Sequence, residues 1–386
     1  MMFFALVFLA SAPVSERLDL LKGKLGIITV TCLVWLVALL GLTYTPYLEL
    51  GLIDLSLKLP IVVFPIMILS LKQDELKQSR YAAYGMVFGV GAVAILCIGI
   101  AAYKYLSTGE ILFFYRDLVS PLRMMHPGYL SMYTVFALFL IGVWFYKKWS
   151  GSSLLPRVVV IFLGLLFILF LILLSSRMQI LISFFLTNAF LLSFLLFKRR
   201  FRALLGLILL NSAFAFTISQ FEFVQMRFYY LRNPEFSYDQ EAKWNGTQMR
   251  LAIWTITLEV IQEDPWLGVG TGSAQPVLQE KYTEKGFNLA KEMKYNNHNQ
   301  YLQQWMTNGI FGLFSWLLLL LLYLMLAIRS KNWVLLFLSG QIILSALTES
   351  VFQTQSGVVF IAFWFPLLLV ASNSMISAIG RRASEG

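Results

Sequence analysis

Only two histidines, His126 and His298, occur in this chain of 386 residues. His298 lies between Asn297 and Asn299 in "NNHNQ", where a polar segment gives way to a long apolar run. An imidazole at such a boundary is able to take a proton from a hydroxyl, with Asn297 and Asn299 placed to orient it or to bind sugar. Two arginines stand apart from the other basic residues: Arg177 in "LLSSRMQ" and Arg250 in "TQMRLAIW". Arginine keeps its charge, and its planar fork grips phosphate oxygens in pairs. His126, in "RMMHPGYLSMY", and Glu349 and Gln355, in "TESVFQTQSG", also stand at the ends of apolar runs. A base and two phosphate forks suit one chemistry, the transfer of a group from a diphosphate to a hydroxyl. The sequence shows no histidine and carboxylate cluster at metal-ligand spacing and no Asp-x-Asp element, so the expected reaction uses no metal and no cofactor. Each residue also has a plain reading: Arg177 snorkelling from a turn, Arg250 solvated on a helix, His126 a structural cap or packed polar residue, Glu349 pairing with a nearby arginine or capping the next span, and His298 beside a helix N-cap.

The elements that must hold these side chains are membrane helices. Hydrophobic residues make up 59% of the chain and charged residues 13%, and mean hydropathy is +0.73. Apolar runs of spanning length recur from end to end, which makes the chain an all-α polytopic membrane protein. Spans are expected at roughly 25–44, 59–71, 82–103, 128–146, 156–175, 178–197, 203–219, 299–328, 333–348 and 356–379; the 59–71 run is too short to cross straight unless its flanks join it, and Pro60 and Pro65 suit a kinked span. A short apolar stretch over 1–12 precedes them and reads as a partial first span, for a total of about 11–12. The middles of these runs carry no Asp, Glu, Lys, Arg or His. Ion-coupled transport needs ionisable groups at mid-membrane depth, so a flippase or transporter is disfavoured. Cys32 and Cys97 fall inside apolar runs and read as buried thiols.

Lysine and arginine set the orientation. One set of connections carries Arg17, Lys22 and Lys24, then Lys72, Lys77 and Arg80, then Lys147, Lys148 and Arg157. The set continues with Lys198, Arg199, Arg200 and Arg202, with Arg329 and Lys331, and with Arg381 and Arg382. These connections alternate strictly with a mixed set, which places the basic set in the cytoplasm and Arg177, Arg250, His298, His126, Glu349 and Gln355 on the outer face. The net charge of +10 reflects this topology and gives no reason to invoke nucleic acid.

The chain divides into N-terminal membrane helices over 1–219, a large outer loop over 220–298, and C-terminal membrane helices over 299–386. Within the loop, "TQMRLAIWTITLEVIQEDPW" predicts a helix over 247–263, started by Asn245 or Thr247 and ended by Asp264-Pro265. Leu251, Trp254, Leu258 and Ile261 recur at helical spacing and are expected to form its apolar face. "GVGTG" at 268–272 has no preceding strand, so it reads as a tight turn and not as a phosphate loop.

These elements in this order resemble the bacterial O-antigen ligases and their polymerase relatives. The resemblance rests on "SSR" at 175–177, "RLAIWTITLEVIQEDPWLGVGTG" at 250–272, and "HNQYL" at 298–302 followed by Gly309. "HPGYLSMY" at 126–133 and "TESVFQTQSG" at 348–357 resemble further elements of ligase-like members. It implies an architecture like that of integral-membrane glycosyltransferases, with a metal-independent, inverting transfer. The donor is an undecaprenyl-diphosphate-linked glycan. The acceptor is a lipid A–core in a ligase, or another lipid-linked glycan in a polymerase. By the resemblance Arg177 and Arg250 engage the donor diphosphate and His298 activates the acceptor hydroxyl, at the periplasmic face of the bacterial inner membrane. Such proteins usually have about twelve spans, so eleven here would point to an incomplete first one. The His126 and Glu349 elements favour the ligase.

Overall fold

The computed structural model describes residues 13–114, 117–122, 125–149, 151–220, 225 and 246–380. The expectations for 1–12, for Asn245 and for most of 220–245 lie outside those residues. The described chain is helical, and no strand occurs among the described residues. Its order is α1 (Val14–Leu21), α2 (Leu25–Leu40), α3 (Leu48–Lys58), α4 (Pro60–Leu69), α5 (Gln73–Leu76), α6 (Ser79–Thr108), α7 (Pro127–Lys148) and α8 (Leu154–Leu173). There follow α9 (Arg177–Phe197), α10 (Phe201–Ser219), α11 (Gly246–Glu263), α12 (Ala274–Glu284), α13 (Asn288–Glu292), α14 (Gln300–Arg329), α15 (Trp333–Ser345) and α16 (Gln355–Gly380). Seven helices among the described residues are long and apolar enough to cross a membrane, and three shorter apolar ones cover 201–213, 333–345 and 355–371. Together they correspond to the ten spans read from the sequence.

One expectation needs correction. The run at 59–71 is the second half of a longer span, Leu48–Leu69, whose first half is α3. That half contains Asp54 and Lys58, an ion pair one helical turn apart, with Lys58 only 2% exposed. The spans are therefore not free of ionisable groups. The pair is tolerated because each charge neutralises the other and Lys58 is covered by protein.

The main core lies where α16, α14, α15, α7 and α4 meet, around Phe136, Trp316, Tyr323, Phe337, Phe352 and Phe365. Among the described residues, connections of the same set meet at one end of the bundle. At one end Arg17 forks onto Glu75, with both N–H···O distances 2.6 Å, and donates to the Ser70 carbonyl, while Lys72 pairs with Glu16. At the other end Tyr129, near the start of α7, donates to the Ser350 carbonyl, and Gln179 of α9 donates to Ser345 at the end of α15.

The described part of the loop has a core of its own. Ile253, Ile256 and Val260 of α11 pack with Leu278, Tyr282, Phe287 and Met306. The buried face of α11 is thus rotated from the one expected: Ala252, Ile253, Ile256, Thr257, Val260 and Ile261 are covered, whereas Leu258 is exposed. Helices α12 and α13 close over that side, which periodicity within α11 alone cannot register. The lid is fixed to the bundle where α14 breaks. Asn308 leaves helical geometry and Gly309 takes φ 60°, ψ −156°, a region open essentially to glycine alone. The break frees carbonyls that "GVGTG" then covers: Val269 N–H donates to Met306 O and Gly270 N–H to Thr307 O, both at 2.9 Å. Ile310 N–H returns to Pro265 O at 3.0 Å, and the Thr271 hydroxyl reaches the Ala38 carbonyl in α2 at 2.7 Å. The glycine-rich stretch is a turn, and its backbone bonds satisfy a broken membrane helix.

Candidate active site

His298 occupies the last residue before the cap of α14. Its φ is +44°, an uncommon conformation for a residue with a β-carbon, and its N–H is held by Asn296 Oδ1 at 2.9 Å. The cap itself is Asn299, whose side-chain oxygen accepts from Tyr301 N and Leu302 N at 3.0 and 3.1 Å. The imidazole is therefore not used for capping, and its ring packs on Tyr295. Ser175, Arg199, Lys294 and Lys331 share a positive φ; at His298 it accompanies an imidazole left free of the cap. The other histidine is employed differently: His126 caps α7, with Nδ1 accepting from Gly128 N at 3.2 Å.

Glu349 brings the two halves of the site together. It lies in the irregular segment between α15 and α16, much of which is buried. Such a segment survives inside a membrane protein only if its backbone groups find partners. Gln300 N–H donates to Ala346 O and Gln300 Oε1 accepts from Phe352 N, both at 2.8 Å. Asn299 N–H donates to the Ser350 hydroxyl at 3.2 Å, and that hydroxyl lies 2.9 Å from the Asn297 side-chain amide. Held in this way, Glu349 points one oxygen at each neighbour. Its Oε1 is 3.4 Å from Arg250 Nη2 and its Oε2 is 3.6 Å from His298 Nδ1. All three side chains are partly exposed, Glu349 at 19%, His298 at 22% and Arg250 at 32%, so they line an accessible surface. Gly128 stands behind Glu349: a β-carbon there would lie 3.7 Å from Oε1, which places the start of α7 against the cluster.

The remaining candidates fall around this centre. Asn297 is fully buried; its carbonyl accepts from Trp254 Nε1 at 2.8 Å and its amide faces Ser350 and Gln303. It ties α11, which carries Arg250, to the segment that carries His298. Arg177 opens α9 after Ser175, which has φ +53°. Its guanidinium is exposed and has no partner among the described residues. Two residues on, Gln179 bonds Ser345, whose carbonyl accepts the Glu349 N–H, so Arg177 stands beside the segment that presents Glu349. Gln355 begins α16, exposed and without a bond to the cluster. No group of three or more metal-ligating side chains occurs among the described residues. Two tyrosines brace the lid from the α2–α3 connection. Tyr44 donates to Leu267 O at 2.7 Å and Tyr47 to Glu280 Oε1 at 3.0 Å. Both phenols are held above their ordinary value, Tyr44 by burial and then by Asp264, Tyr47 by the Glu280 bond, so both remain donors at neutral pH.

Arg177, Arg250 and His298 all fall within residues 162–317, which match the family model for O-antigen ligase. That stretch, less than half of the chain, is similar to an O-antigen ligase domain. The domain starts within α8, takes in the lid and ends just past the break in α14. His126, Glu349 and Gln355 lie outside it. No curated protein matches the chain. The match supports, in general terms, a membrane enzyme acting on lipid-linked glycan.

Proposed function

We propose that this protein is an O-antigen ligase, passing a glycan from an undecaprenyl diphosphate carrier to a lipid A–core acceptor at the periplasmic face of the inner membrane. The observation that supports the reading is Glu349, one carboxylate set between the Arg250 guanidinium and an imidazole that caps nothing. Arg250 and Arg177 grip the donor diphosphate. Glu349 faces Nδ1 of His298, which leaves Nε2 for the acceptor. His298 Nε2 takes the proton of the acceptor hydroxyl while that oxygen forms a bond to the anomeric carbon. The bond from that carbon to the diphosphate oxygen breaks, its electron pair leaves with the diphosphate, and configuration inverts. The arginines stabilise the charge that builds on the leaving oxygen. The 3.6 Å from Glu349 to Nδ1 is longer than a hydrogen bond, as is common before substrate tightens a site.

His298→Asn tests the base. Asparagine tolerates a positive φ better than most residues, so the fold is kept while the base is removed. Transfer in a purified assay should fall by roughly 10²–10⁴-fold with donor binding retained. Near-normal transfer would return His298 to a structural role. A polymerase, which would extend a lipid-linked glycan, is the alternative within the family. A deletion strain separates the two: loss of a ligase leaves bare lipid A–core with carrier-bound polymer, whereas loss of a polymerase leaves core capped by one repeat unit.

A further inference from the structure

Glu349 is shared between two groups and closes fully on neither. Its Oε1 is 3.4 Å from Arg250 Nη2 and its Oε2 is 3.6 Å from His298 Nδ1, whereas charge-assisted N–H···O bonds are ordinarily about 2.7–2.9 Å long. The Nδ1 atom of His298 is buried and has no hydrogen-bond partner among the described residues, and a buried polar atom is costly to leave unmet. On the other side, Glu349 is the one carboxylate paired with Arg250 among the described residues. The guanidinium is therefore what holds the carboxylate short of the imidazole.

The surroundings leave the Glu349 side chain, and little else, free to respond. Its N–H donates to Ser345 O at 3.0 Å and its carbonyl accepts from Val351 N–H at 3.1 Å, so only side-chain torsions remain to move the carboxylate. An advance of under about 1 Å brings Oε2 to bonding distance of Nδ1. The other titratable neighbours do not compete for it: the Tyr295 ring packs on His298, and the Tyr129 hydroxyl is committed to the Ser350 carbonyl. A diphosphate changes the balance. Its paired oxygens match the guanidinium fork better than a single carboxylate oxygen does, and its charge has the same sign as Glu349. Oε1 then loses its cation and gains a repelling neighbour, and the donor left within reach of the carboxylate is His298 Nδ1–H.

We propose that Glu349 is a positioning residue that passes from Arg250 to His298 when the donor diphosphate binds, so that the base is oriented only in the loaded enzyme. The inference rests on the reading of Arg250 as a diphosphate ligand and His298 as the base. With Nδ1–H donated to Oε2, the imidazole is fixed in the tautomer whose Nε2 lone pair faces the acceptor, and the carboxylate steadies the imidazolium that forms. In the unloaded enzyme the tautomer is not fixed, so a hydroxyl or water that enters first meets a base that is not set to receive its proton. Transfer is thus ordered, donor before acceptor.

The test reads the imidazole directly. Full-length protein in detergent is prepared with isotope-labelled histidine, which gives only two imidazoles, and His126→Asn, which keeps a capping side chain, assigns them. Spectra are taken at about pH 8.5, above the ordinary imidazole value, with and without undecaprenyl diphosphate, which carries no glycan and cannot turn over. On binding, His298 should pass from mixed tautomers to the one protonated at Nδ1. Arg250→Met should show that tautomer with no ligand present, because it removes the guanidinium that holds Glu349 back. Glu349→Gln should bind undecaprenyl diphosphate at least as tightly as the wild type, show no change of tautomer, and lose roughly 10–100-fold in kcat, the worth of one charge-assisted hydrogen bond. A glutamate that only braces Arg250 gives the opposite split, with weaker binding in Glu349→Gln and an unaltered histidine. That split would overturn the hand-over, as would a wild type that binds undecaprenyl diphosphate with its His298 spectrum unchanged. Wild-type protein that does not bind undecaprenyl diphosphate at all would instead refute the donor reading, and the hand-over with it.

Discussion

At the scale of single residues, the site depends on geometry that charge alone does not supply. Arg250 meets Glu349 through Nη2 only, at 3.4 Å, so its fork is not locked into a bidentate pair and a diphosphate can compete for it. Arg177 faces outward with no partner among the described residues. Replacing either with lysine keeps the point charge and removes the paired donors. Hydrogen bonds to charged groups contribute about 1.5–3 kcal/mol, so Arg177→Lys and Arg250→Lys should each lower kcat/KM by roughly tenfold or more. Folding, followed by gel filtration in detergent, should be unaffected, because neither arginine is part of a core. Full activity in both variants at normal expression would reduce these residues to snorkelling and surface roles. The two histidines show why residue type is a weak guide by itself. Both stand at helix starts, yet His126 is the cap of its helix while His298 leaves that task to Asn299.

At the scale of elements, the break in α14 decides how the lid meets the membrane helices. An unbroken helix would keep the Met306 and Thr307 carbonyls for itself and offer nothing to "GVGTG". Gly309 is the pivot: a β-carbon there would stand 1.9 Å from Trp266 O. Gly309→Ala must both hold a conformation that costs about 1–3 kcal/mol and displace the 265–270 turn from the helix. Gly286 is a fitting control, since it has a similar φ of +69° with open space around it. Gly286→Ala should cost only about 1–2 kcal/mol. Thermal unfolding in detergent should therefore show a clearly larger fall in midpoint for Gly309→Ala, with transfer lost because α11 carries Arg250. Equal midpoints for the two variants would mean that the break does not anchor the lid.

At the scale of the whole molecule, contacts among the described residues join the basic connections at Arg17 and Lys72 at one end and tie the cluster's segment to the starts of α7 and α9 at the other. The topology proposed from lysine and arginine puts the lid outside the inner membrane. The natural cysteines are both free and buried, which gives a low background for single-cysteine labelling. An impermeant thiol reagent applied to intact spheroplasts should label a cysteine at Lys291, an exposed lid position. The same reagent should reach a cysteine at Lys77, exposed at the opposite end, only after the membrane is opened. The reverse pattern would put the site in the cytoplasm and remove the case for a periplasmic ligase.

Periodicity, hydropathy and charge alternation were enough to lay out the helices and the segregation of the basic connections, because these follow from repeats of a few residues and from the membrane as solvent. They also placed the helix at 247–263, whose observed end is Glu263. The residues "NNHNQ" and "LLSSRMQ" stood out for the same local reason, as polar groups at the edges of apolar runs. Local pattern marked the run at 59–71 as too short to cross unless its flanks joined it, but did not show that the flank at 48–58 does so with Asp54 and Lys58 paired within one helix. It also misjudged the buried face of α11, since α12 and α13 supply the covering surface. Only the tertiary structure joined His298 to Glu349 and Arg250, residues drawn from three separate stretches of the chain. That meeting depends on the irregular backbone of 346–354, whose path is set by bonds to Gln300, Asn299 and Tyr129 from distant helices. Non-repeating backbone leaves no period in the sequence, so its course is decided by where distant donors and acceptors satisfy it.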